Sequence, residues 1–274
     1  MFATSSLLFV PGSRPDRFAK ARAAGAGLTV IDLEDAVAAD DKDTARKAAI
    51  TEVAAGRDTL AIRINGMATA AGVADLAGLA QIDVLPSTLL VPMVESAEEL
   101  RMISATLGER CPALIPLIET PRGLRHALSI AQTPRVAAVM FGGADFAGEL
   151  GVALAWEPLL AARGALILAC AEARVPAIDV PYIVLEDTAG LFEECHRAKA
   201  MGFAAKAAIH PAQIATIEQA FASSAREVAE AEEALVAYRE GGERAIRFKG
   251  RMLEAPLIKQ YRAVLKKKGK LGHA

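Results

Sequence analysis

The stretch Leu114-Ile115-Pro116-Leu117-Ile118-Glu119-Thr120-Pro121-Arg122-Gly123 passes from an apolar run to a carboxylate and then at once to a helix start. The apolar run predicts a buried strand with Glu119 at its carboxyl end. A second junction of this kind lies about 25 residues later, where residues 136–141 lead through two glycines to Asp145. Two carboxylates at the ends of successive buried strands predict a site for a hard cation such as Mg²⁺.

Short apolar runs alternate with helical patterns along most of the chain. Strands are predicted at residues 6–10, 28–33, 60–64, 88–91, 113–118, 136–141, 175–178 and 205–209, and helices at residues 15–24, 42–54, 73–80, 96–107, 122–131, 157–173, 189–201 and 211–221. Strands that alternate with helices indicate parallel βα units of the α/β class. Eight units in a row favour a (β/α)8 TIM barrel over an open doubly wound sheet.

The pattern changes after residue 221. A charged helix is predicted at residues 225–240, a loop at residues 248–256, and a last helix that ends near residue 267. We therefore predict a barrel domain at residues 1–222 and a C-terminal helical extension at residues 223–274. This extension exceeds what eight βα units need, and we expect it to cover its own barrel or to pack on a neighbouring subunit.

Composition excludes several classes of partner. The 274 residues are 53% hydrophobic, carry a net charge of −2 and contain 5% aromatic residues, which argues against nucleic acid and acidic membranes as partners. Cys111, Cys170 and Cys195 are widely spaced, so we expect reduced thiols in a cytoplasmic protein. The amino terminus lacks the basic region of a signal peptide, and no apolar run is long enough for a membrane span.

Polar residues cluster where the second and third predicted strands end. Asp32, Glu34 and Asp35 follow one strand, and alternation along the next places Arg63 and Asn65 on the bore side. A guanidinium in the bore needs a carboxylate partner, which is either a substrate or an ion pair with Asp32 or Glu34. Both interpretations remain open from these residues alone.

Three further features have a functional and a structural interpretation. The loop with Arg14 and Arg17 opens a helix, and it is either an anion site or a solvated turn. Glu119 and Asp145 each precede a helical segment, so they are metal ligands or helix-capping acids. His210 is either structural or catalytic, and the four histidines show no zinc-binding spacing.

Six motifs together resemble the citrate lyase beta-subunit-like proteins of the HpcH/HpaI aldolase superfamily. They occur in the family's order across about residues 5–260. The motifs are the opening SLLFVPGSRPDR of residues 6–17, DLEDAV of residues 32–37, RIN of residues 63–65, IETPRG of residues 118–123, GGAD of residues 142–145 and AIHPAQ of residues 208–213.

The resemblance implies a TIM barrel that binds Mg²⁺ and acts on acyl-CoA thioesters or short oxo-acids. By motif, it implies that Glu119 and Asp145 are the metal ligands and that Arg63 binds the carboxylate and oxygen of the oxo-acid. It also implies that Glu34 and Asp35 hold water near the metal. Finally, it implies that the basic loop, with Arg14, Arg17 and Lys20, binds CoA or another anionic group, and that subunits form homotrimers or hexamers.

The tail departs from the family in one residue. Relatives that act on acetyl-CoA carry an aspartate as acid–base residue where this chain has Glu254, in GRMLEAP of residues 250–256. The resemblance still implies a Mg²⁺-dependent carbon–carbon lyase that cleaves or forms a malyl-, citramalyl- or citryl-CoA thioester, with Arg63 and Glu254 as catalytic residues. The alternatives are a CoA-independent class II aldolase of 2-keto acids and an oxo-acid-binding and Mg²⁺-binding subunit or sensor with weak activity.

Overall fold

The computed structural model describes residues 2, 4–55 and 60–267, without the side chain of residue 267. The chain divides into two compact units, residues 1–221 and residues 222–274. The predicted extension runs to residue 274, and its residues 268–274 lie outside the described residues.

The first unit is a closed barrel of eight parallel strands in chain order. The strands are β1 (Ser6–Pro11), β2 (Leu28–Asp32), β3 (Leu60–Arg63), β4 (Thr88–Val91), β5 (Ala113–Ile118), β6 (Val139–Phe141), β7 (Ala177–Asp179) and β8 (Ala205–Ala208). The barrel closes where β1 pairs with β8, with Leu7 opposite Ala207. This topology confirms the predicted (β/α)8 fold and excludes the open sheet.

Ten α-helices follow the strands in the described part of this unit. They are α1 (Phe18–Ala23), α2 (Lys42–Ala54), α3 (Ala70–Ala80), α4 (Ala97–Leu107), α5 (Pro121–Arg125), α6 (Ala127–Ala131), α7 (Gly143–Leu150), α8 (Trp156–Ala173), α9 (Thr188–Met201) and α10 (Gln213–Phe221). The start of α4 is fixed by a capping box of Ser96 and Glu99. None of the helices in the described residues has the length and apolar character needed to cross a bilayer.

Alternation along the strands divides the apolar core into two layers. In β5, Leu114 and Ile118 pack in the layer between the strands and the helices. Ile115 and Leu117 lie in the second cluster, which fills the bore. Glu119 continues the bore-facing series of Ile115 and Leu117, so the strand pattern alone directs its carboxylate to the mouth of the barrel.

Three elements of the barrel differ from the predicted ones by more than a small shift of their ends. Strand β6 begins at Val139, and Val136 forms only an isolated bridge with Leu114. The helix predicted at residues 122–131 is divided into α5 and α6 at His126, whose φ of −99° and ψ of 5° leave the helical region. Helix α7 was not predicted; it begins directly after β6 and contains Asp145 in its first turn.

The second unit consists of α11 (Ala225–Glu240), the antiparallel strands β9 (Ile246–Phe248) and β10 (Arg251–Leu253), and α12 (Ala255–Lys267). Ser224 and Glu227 form a capping box at the start of α11. The prediction of a loop at residues 248–256 was wrong, because residues 246–253 form a β-hairpin. Its two turn residues, Lys249 (φ 45°) and Gly250 (φ 80°), both have the positive φ of a type I′ turn.

Candidate active site

A cavity of about 440 Å³ lies at the carboxyl ends of the barrel strands. This is the end at which barrel enzymes hold their active sites. The charged side chains that line the cavity are Asp32, Asp35, Arg63, Glu119 and Asp145. Five acidic and basic residues were predicted to bind the metal or the oxo-acid, and four of them line this cavity: Asp35, Arg63, Glu119 and Asp145. The fifth, Glu34, contacts Arg63. Asp32 lines the cavity as well.

Glu119 is the more buried of the two predicted metal ligands, since only 3% of the residue is exposed. Its Oε2 atom accepts a hydrogen bond of 2.6 Å from the backbone N–H of Met93 in the loop after β4. Met93 has a φ of 55°, a conformation that is strained for a residue with a side chain. The Met93 N–H holds one carboxylate oxygen of Glu119 and leaves Oε1 for another partner.

Burial raises the pKa of Glu119 to about 7, against the opposing effects of the Met93 hydrogen bond and of Arg63. The charges of Asp145 and Asp35 raise this pKa further. Glu119 does not cap α5, because the Thr120 side chain accepts the hydrogen bond from the N–H of Gly123. The helix-capping interpretation of Glu119 is therefore wrong.

Gly142 provides the space for the Glu119 side chain. A Cβ atom on Gly142 would lie 2.1 Å from Cγ and 2.5 Å from Oε1 of Glu119. Both distances are far below van der Waals contact, so only glycine fits at this position without displacing the carboxylate.

Asp145 lies exposed in the first turn of α7, and its side chain does not cap that helix. Although the residue as a whole is exposed, its carboxyl group is partly buried, and this partial burial raises the pKa of Asp145; the charge of Asp35 raises it further, and Arg63 opposes both. Asp145 and Glu119 thus approach the cavity from the ends of adjacent strands. Both are shifted toward the protonated form by burial and by neighbouring carboxylates.

Arg63 faces the bore, as predicted, and is 9% exposed. Its Nε and Nη2 atoms donate to the two carboxylate oxygens of Asp32, each at 2.7 Å. Its Nη1 atom lies 2.8 Å from Glu34 and 3.1 Å from Asp35. The structure therefore supports the ion-pair interpretation, in which Asp32 occupies the bidentate edge of the guanidinium and Nη1 meets the loop after β2.

Asp32 orients Arg63 and is itself held by the backbone. Its Oδ1 accepts from the N–H of Glu34 at 2.9 Å, and its Oδ2 accepts from the N–H of Ala36 at 3.2 Å. Burial would lower the pKa of Arg63, but the hydrogen bonds and charge of Asp32 outweigh it, so that pKa is raised. A guanidinium fixed in this way stays charged throughout the accessible pH range.

Glu34 is the most perturbed carboxyl group of the site. Burial raises the pKa of Glu34 to about 8, although the charge of Arg63 opposes this. Its Oε2 atom lies within ion-pair distance of Arg63, yet it has no hydrogen-bond partner of suitable geometry. A buried carboxylate oxygen without a hydrogen bond indicates a place for a donor such as water.

The donor set of the cavity fits Mg²⁺. Among the described residues, no three His, Cys, Asp or Glu side chains form a complete ligand cluster. Glu119 and Asp145 would supply two protein ligands, with water and substrate oxygens in the other positions. Mg²⁺ is commonly held in this way, by one or two carboxylates and several waters. A divalent cation would also offset the negative charge of the neighbouring carboxylates, which adds to burial in raising both pKa values.

We expect the substitution Gly142→Ala to lower the affinity for Mg²⁺ by about 10- to 100-fold, because the added methyl group displaces Glu119. Isothermal titration calorimetry with Mg²⁺ measures this effect. Gly148→Ala is the matched control, since a Cβ there would meet no atom within 4 Å. Unchanged affinity in a folded Gly142→Ala protein would contradict the positioning role of Gly142.

The other predicted site residues do not line this cavity. Arg14 donates from Nε and Nη2 to the two carboxylate oxygens of Asp16, at 2.9 and 2.8 Å, and Arg17 and Lys20 are also exposed. Asn65, which was predicted to face the bore, instead donates from Nδ2 to Asp75 on α3 at 2.6 Å. The reason is that β3 ends at Arg63, so strand alternation does not extend to Asn65.

Glu254 belongs to the second unit. It lies directly before α12, its carbonyl accepts hydrogen bonds from the N–H groups of Leu257 and Ile258, and its residue is exposed. Its catalytic role stays a prediction. His210 is exposed as well, and its Nδ1 accepts from the N–H of Ala212 at 3.2 Å, which is a local structural contact.

Two family models and several known proteins are similar to this chain. The family model described as HpcH/HpaI aldolase/citrate lyase matches residues 5–211, and one described as C-C bond lyase of the TIM-barrel fold matches residues 169–267. The mitochondrial citramalyl-CoA lyase of Homo sapiens is 33% identical over 280 residues, which cover 93% of this chain and 82% of the relative.

Two solved structures are also similar. RipC from Yersinia pestis is 43% identical, with a TM-score of 0.74 over 82% of this chain and 98% of that chain. CitE from Mycobacterium tuberculosis, solved with magnesium, acetoacetate and coenzyme A, is 32% identical, with a TM-score of 0.86 over 97% of this chain and 98% of that chain. The chain belongs to the HpcH/HpaI aldolase/citrate lyase family and is a carbon–carbon lyase.

Proposed function

We propose that this protein is a Mg²⁺-dependent lyase of short 3-hydroxyacyl-CoA thioesters, which it cleaves to an oxo-acid and acetyl-CoA or forms in the reverse direction. The observation that carries the proposal is that one cavity contains two carboxylates suited to bind a cation, Glu119 and Asp145, together with the guanidinium of Arg63. The citramalyl-CoA lyase relative and the CitE complex with magnesium and coenzyme A support it.

The reaction breaks the bond between the hydroxyl-bearing carbon and the α-carbon of the thioester. The hydroxyl proton leaves to a carboxylate of the cavity, the bonding electron pair moves to the α-carbon, and a proton is then delivered to that carbon. Atoms and electrons balance without an external oxidant or reductant. Bound Mg²⁺ supplies Lewis-acid stabilisation of negative charge on oxygen.

The residues of the chain supply binding and proton transfer. Asp32 occupies the Nε and Nη2 edge of Arg63, so Nη1 is the atom that would meet the oxo-acid oxygen or carboxylate. In our proposal Glu34 and Asp35, which contact Nη1 in this structure, hold water beside the cation. The exposed cations Arg14, Arg17 and Lys20 would bind the anionic part of CoA, and Glu254 would be the acid at the acetyl carbon.

We expect a homotrimer or hexamer in the cytoplasm, with the second unit packed on a neighbouring subunit. Size-exclusion chromatography with light scattering measures the assembly directly.

A substrate panel tests the activity against its two alternatives. With Mg²⁺ present, we expect free oxo-acid to be released from malyl-, citramalyl- or citryl-CoA. Cleavage of a 4-hydroxy-2-keto acid with no release from any thioester would favour the CoA-independent aldolase. Oxo-acid binding with neither reaction would favour the sensor or subunit.

Glu254→Ala is expected to lower the rate of thioester cleavage by about 10²- to 10⁴-fold, because general acid–base groups contribute on that scale. Mg²⁺ binding should stay unchanged, since the metal ligands belong to the barrel. The matched control is Glu243→Ala, which removes another exposed carboxylate of the second unit. A Glu254→Ala protein with the wild-type cleavage rate would show that another group is the acid.

Mg²⁺ should stabilise the protein more at pH 8 than at pH 6. Burial raises the pKa of Glu119 to about 7 and that of Glu34 to about 8 in the folded state, from ordinary values near 4.5. Because the unfolded chain releases these protons more readily, the metal-free protein loses stability as the pH rises from about 4.5 through 8. A cation held by Glu119 would favour the ionised forms of Glu119 and of the nearby Glu34, and would so offset this loss.

Thermal unfolding with and without saturating Mg²⁺ measures this effect. The increase in Tm should be larger at pH 8, and Glu119→Gln should remove most of the difference between the two pH values. Equal increases in Tm at pH 6 and pH 8 in the wild type would contradict ligation by Glu119.

A further inference from the structure

The charged residues that line the cavity lie on or after β2, β3, β5 and β6, and none of them follows β7 or β8. Asp32 and Arg63 lie on β2 and β3, and Glu119 and Asp145 follow β5 and β6. The lining residues after β7 and β8, in contrast, are apolar: Val180, Pro181, Ile183 and Ile209, next to Leu154 after α7. In a closed ring of eight strands β7 lies across from β3, so the apolar wall faces Arg63 across the mouth.

The apolar wall is held in place by buried polar side chains behind it. Gln213, which is 3% exposed, accepts through Oε1 from the N–H groups of Ile209 and His210 at 3.0 and 3.2 Å. Its Nε2 donates to the carbonyl of Tyr182 at 2.7 Å, so one side chain joins the two loops. The fully buried Lys206 donates to the carbonyl of Val180 at 2.7 Å. The wall is therefore pre-organised and does not depend on a ligand.

Arg63 is the only cationic side chain among the described residues that line the cavity. Four carboxylates line the same cavity. Its guanidinium already contacts Asp32, Glu34 and Asp35. A substrate carboxylate bound to Mg²⁺ can also interact with the positive charge of Arg63. A second carboxylate directed at the β7–β8 side would meet only apolar side chains and would stay unpaired.

From this asymmetry we infer that the wall of Val180, Pro181, Ile183 and Ile209 selects thioesters whose oxo-acid fragment has one carboxylate and a short apolar substituent. The inference rests on the proposed lyase function and narrows its substrate class. Citramalyl-CoA, which yields pyruvate with its methyl group, fits the wall. Citryl-CoA, which yields oxaloacetate with a second carboxylate, does not. Malyl-CoA, which yields glyoxylate without a substituent, is intermediate.

The expected differences follow from the chemistry of the wall. Loss of one methyl contact should lower kcat/KM by about 10-fold from citramalyl-CoA to malyl-CoA. An unpaired carboxylate against an apolar wall should lower kcat/KM for citryl-CoA by at least about 100-fold.

The test compares kcat/KM for the three thioesters in the wild type and in Ile183→Arg and Ile209→Arg. Ile183 and Ile209 are 57% and 43% exposed, so arginine fits at either position without disrupting the core. Each variant should raise kcat/KM for citryl-CoA by about 10-fold or more and lower it for citramalyl-CoA. Val184→Arg is the matched control, because Val184 is 52% exposed on the same loop and does not line the cavity.

Two outcomes would overturn the inference. Cleavage of citryl-CoA by the wild type within about threefold of citramalyl-CoA would show that the wall does not select, while the lyase function would stand. If no thioester is cleaved, the proposed function fails, and calorimetry with pyruvate and oxaloacetate in the presence of Mg²⁺ then tests the wall alone. In that case pyruvate should bind at least as tightly as oxaloacetate, and tighter binding of oxaloacetate by about 10-fold would contradict the inference.

Discussion

Replacing Glu119 with glutamine is expected to lower the lyase rate by about 10³-fold or more and to abolish its dependence on Mg²⁺. The substitution keeps the size of the side chain and the acceptor for the Met93 N–H, but it removes the charge that binds the cation. Steady-state kinetics over a series of Mg²⁺ concentrations measures both effects. The protein should remain folded, since the amide also removes a carboxyl group whose pKa burial raises to about 7.

Glu95→Gln is the control for this prediction. Glu95 follows β4 near the same end of the barrel and accepts a hydrogen bond of 2.8 Å from the Thr120 hydroxyl, but it does not line the cavity. Its replacement should leave the Mg²⁺ dependence unchanged. Full Mg²⁺-dependent activity in Glu119→Gln would exclude Glu119 as a ligand.

Arg63→Lys is expected to lower kcat/KM by about 10²- to 10³-fold, although it keeps a positive charge. Arg63 binds both oxygens of Asp32 through one edge of its planar guanidinium, and its Nη1 atom contacts carboxylates of the loop after β2 at the same time. An ammonium group cannot make both sets of contacts. Because Asp32 is buried, its incomplete pairing should also lower the free energy of unfolding by about 1–3 kcal/mol. Chemical denaturation together with kinetics separates the two effects.

Arg122→Lys is the matched control, because its side chain is 64% exposed and its ion pair with Glu95 spans 3.5 Å. Such an exposed pair contributes little to stability. Loss of stability in Arg63→Lys with an unchanged kcat/KM would show that Arg63 has only a structural role.

The sequence predicted the barrel well because the relevant signals are local. Each buried strand shows as a short apolar run, and the alternation in Leu114–Ile118 fixes which side Glu119 faces. The capping box of Ser96 and Glu99 lies within four residues and is a local signal of the same kind. Strand ends also located Glu119, Asp145 and Arg63 at one end of the barrel.

Contacts between distant residues decided what the sequence left open. The pairing of Arg63 with Asp32 joins residues 31 positions apart, so the sequence offered it only as one of two interpretations. The need for glycine at position 142 depends on the path of the Glu119 side chain, which no local pattern shows. The apolar wall was also missed, since residues 180–185 lie outside any strand or helix and its order comes from Gln213 and Lys206.

The β-hairpin of the second unit had a local signal that was overlooked. Lys249 and Gly250 lie between short alternating segments, and a glycine at the second turn position is typical of a type I′ turn. The hairpin places Glu254 directly between β10 and α12, whereas a loop was expected there. Glu254 is thus held at the boundary between two elements.

The most direct test of the account is the product analysis of citramalyl-CoA incubated with the wild-type protein. With Mg²⁺ present, we expect equal amounts of pyruvate and acetyl-CoA, and we expect no products after chelation of the metal. Equal amounts of the two products in the absence of any divalent cation, or no cleavage of citramalyl-, malyl- and citryl-CoA at saturating Mg²⁺, would contradict it.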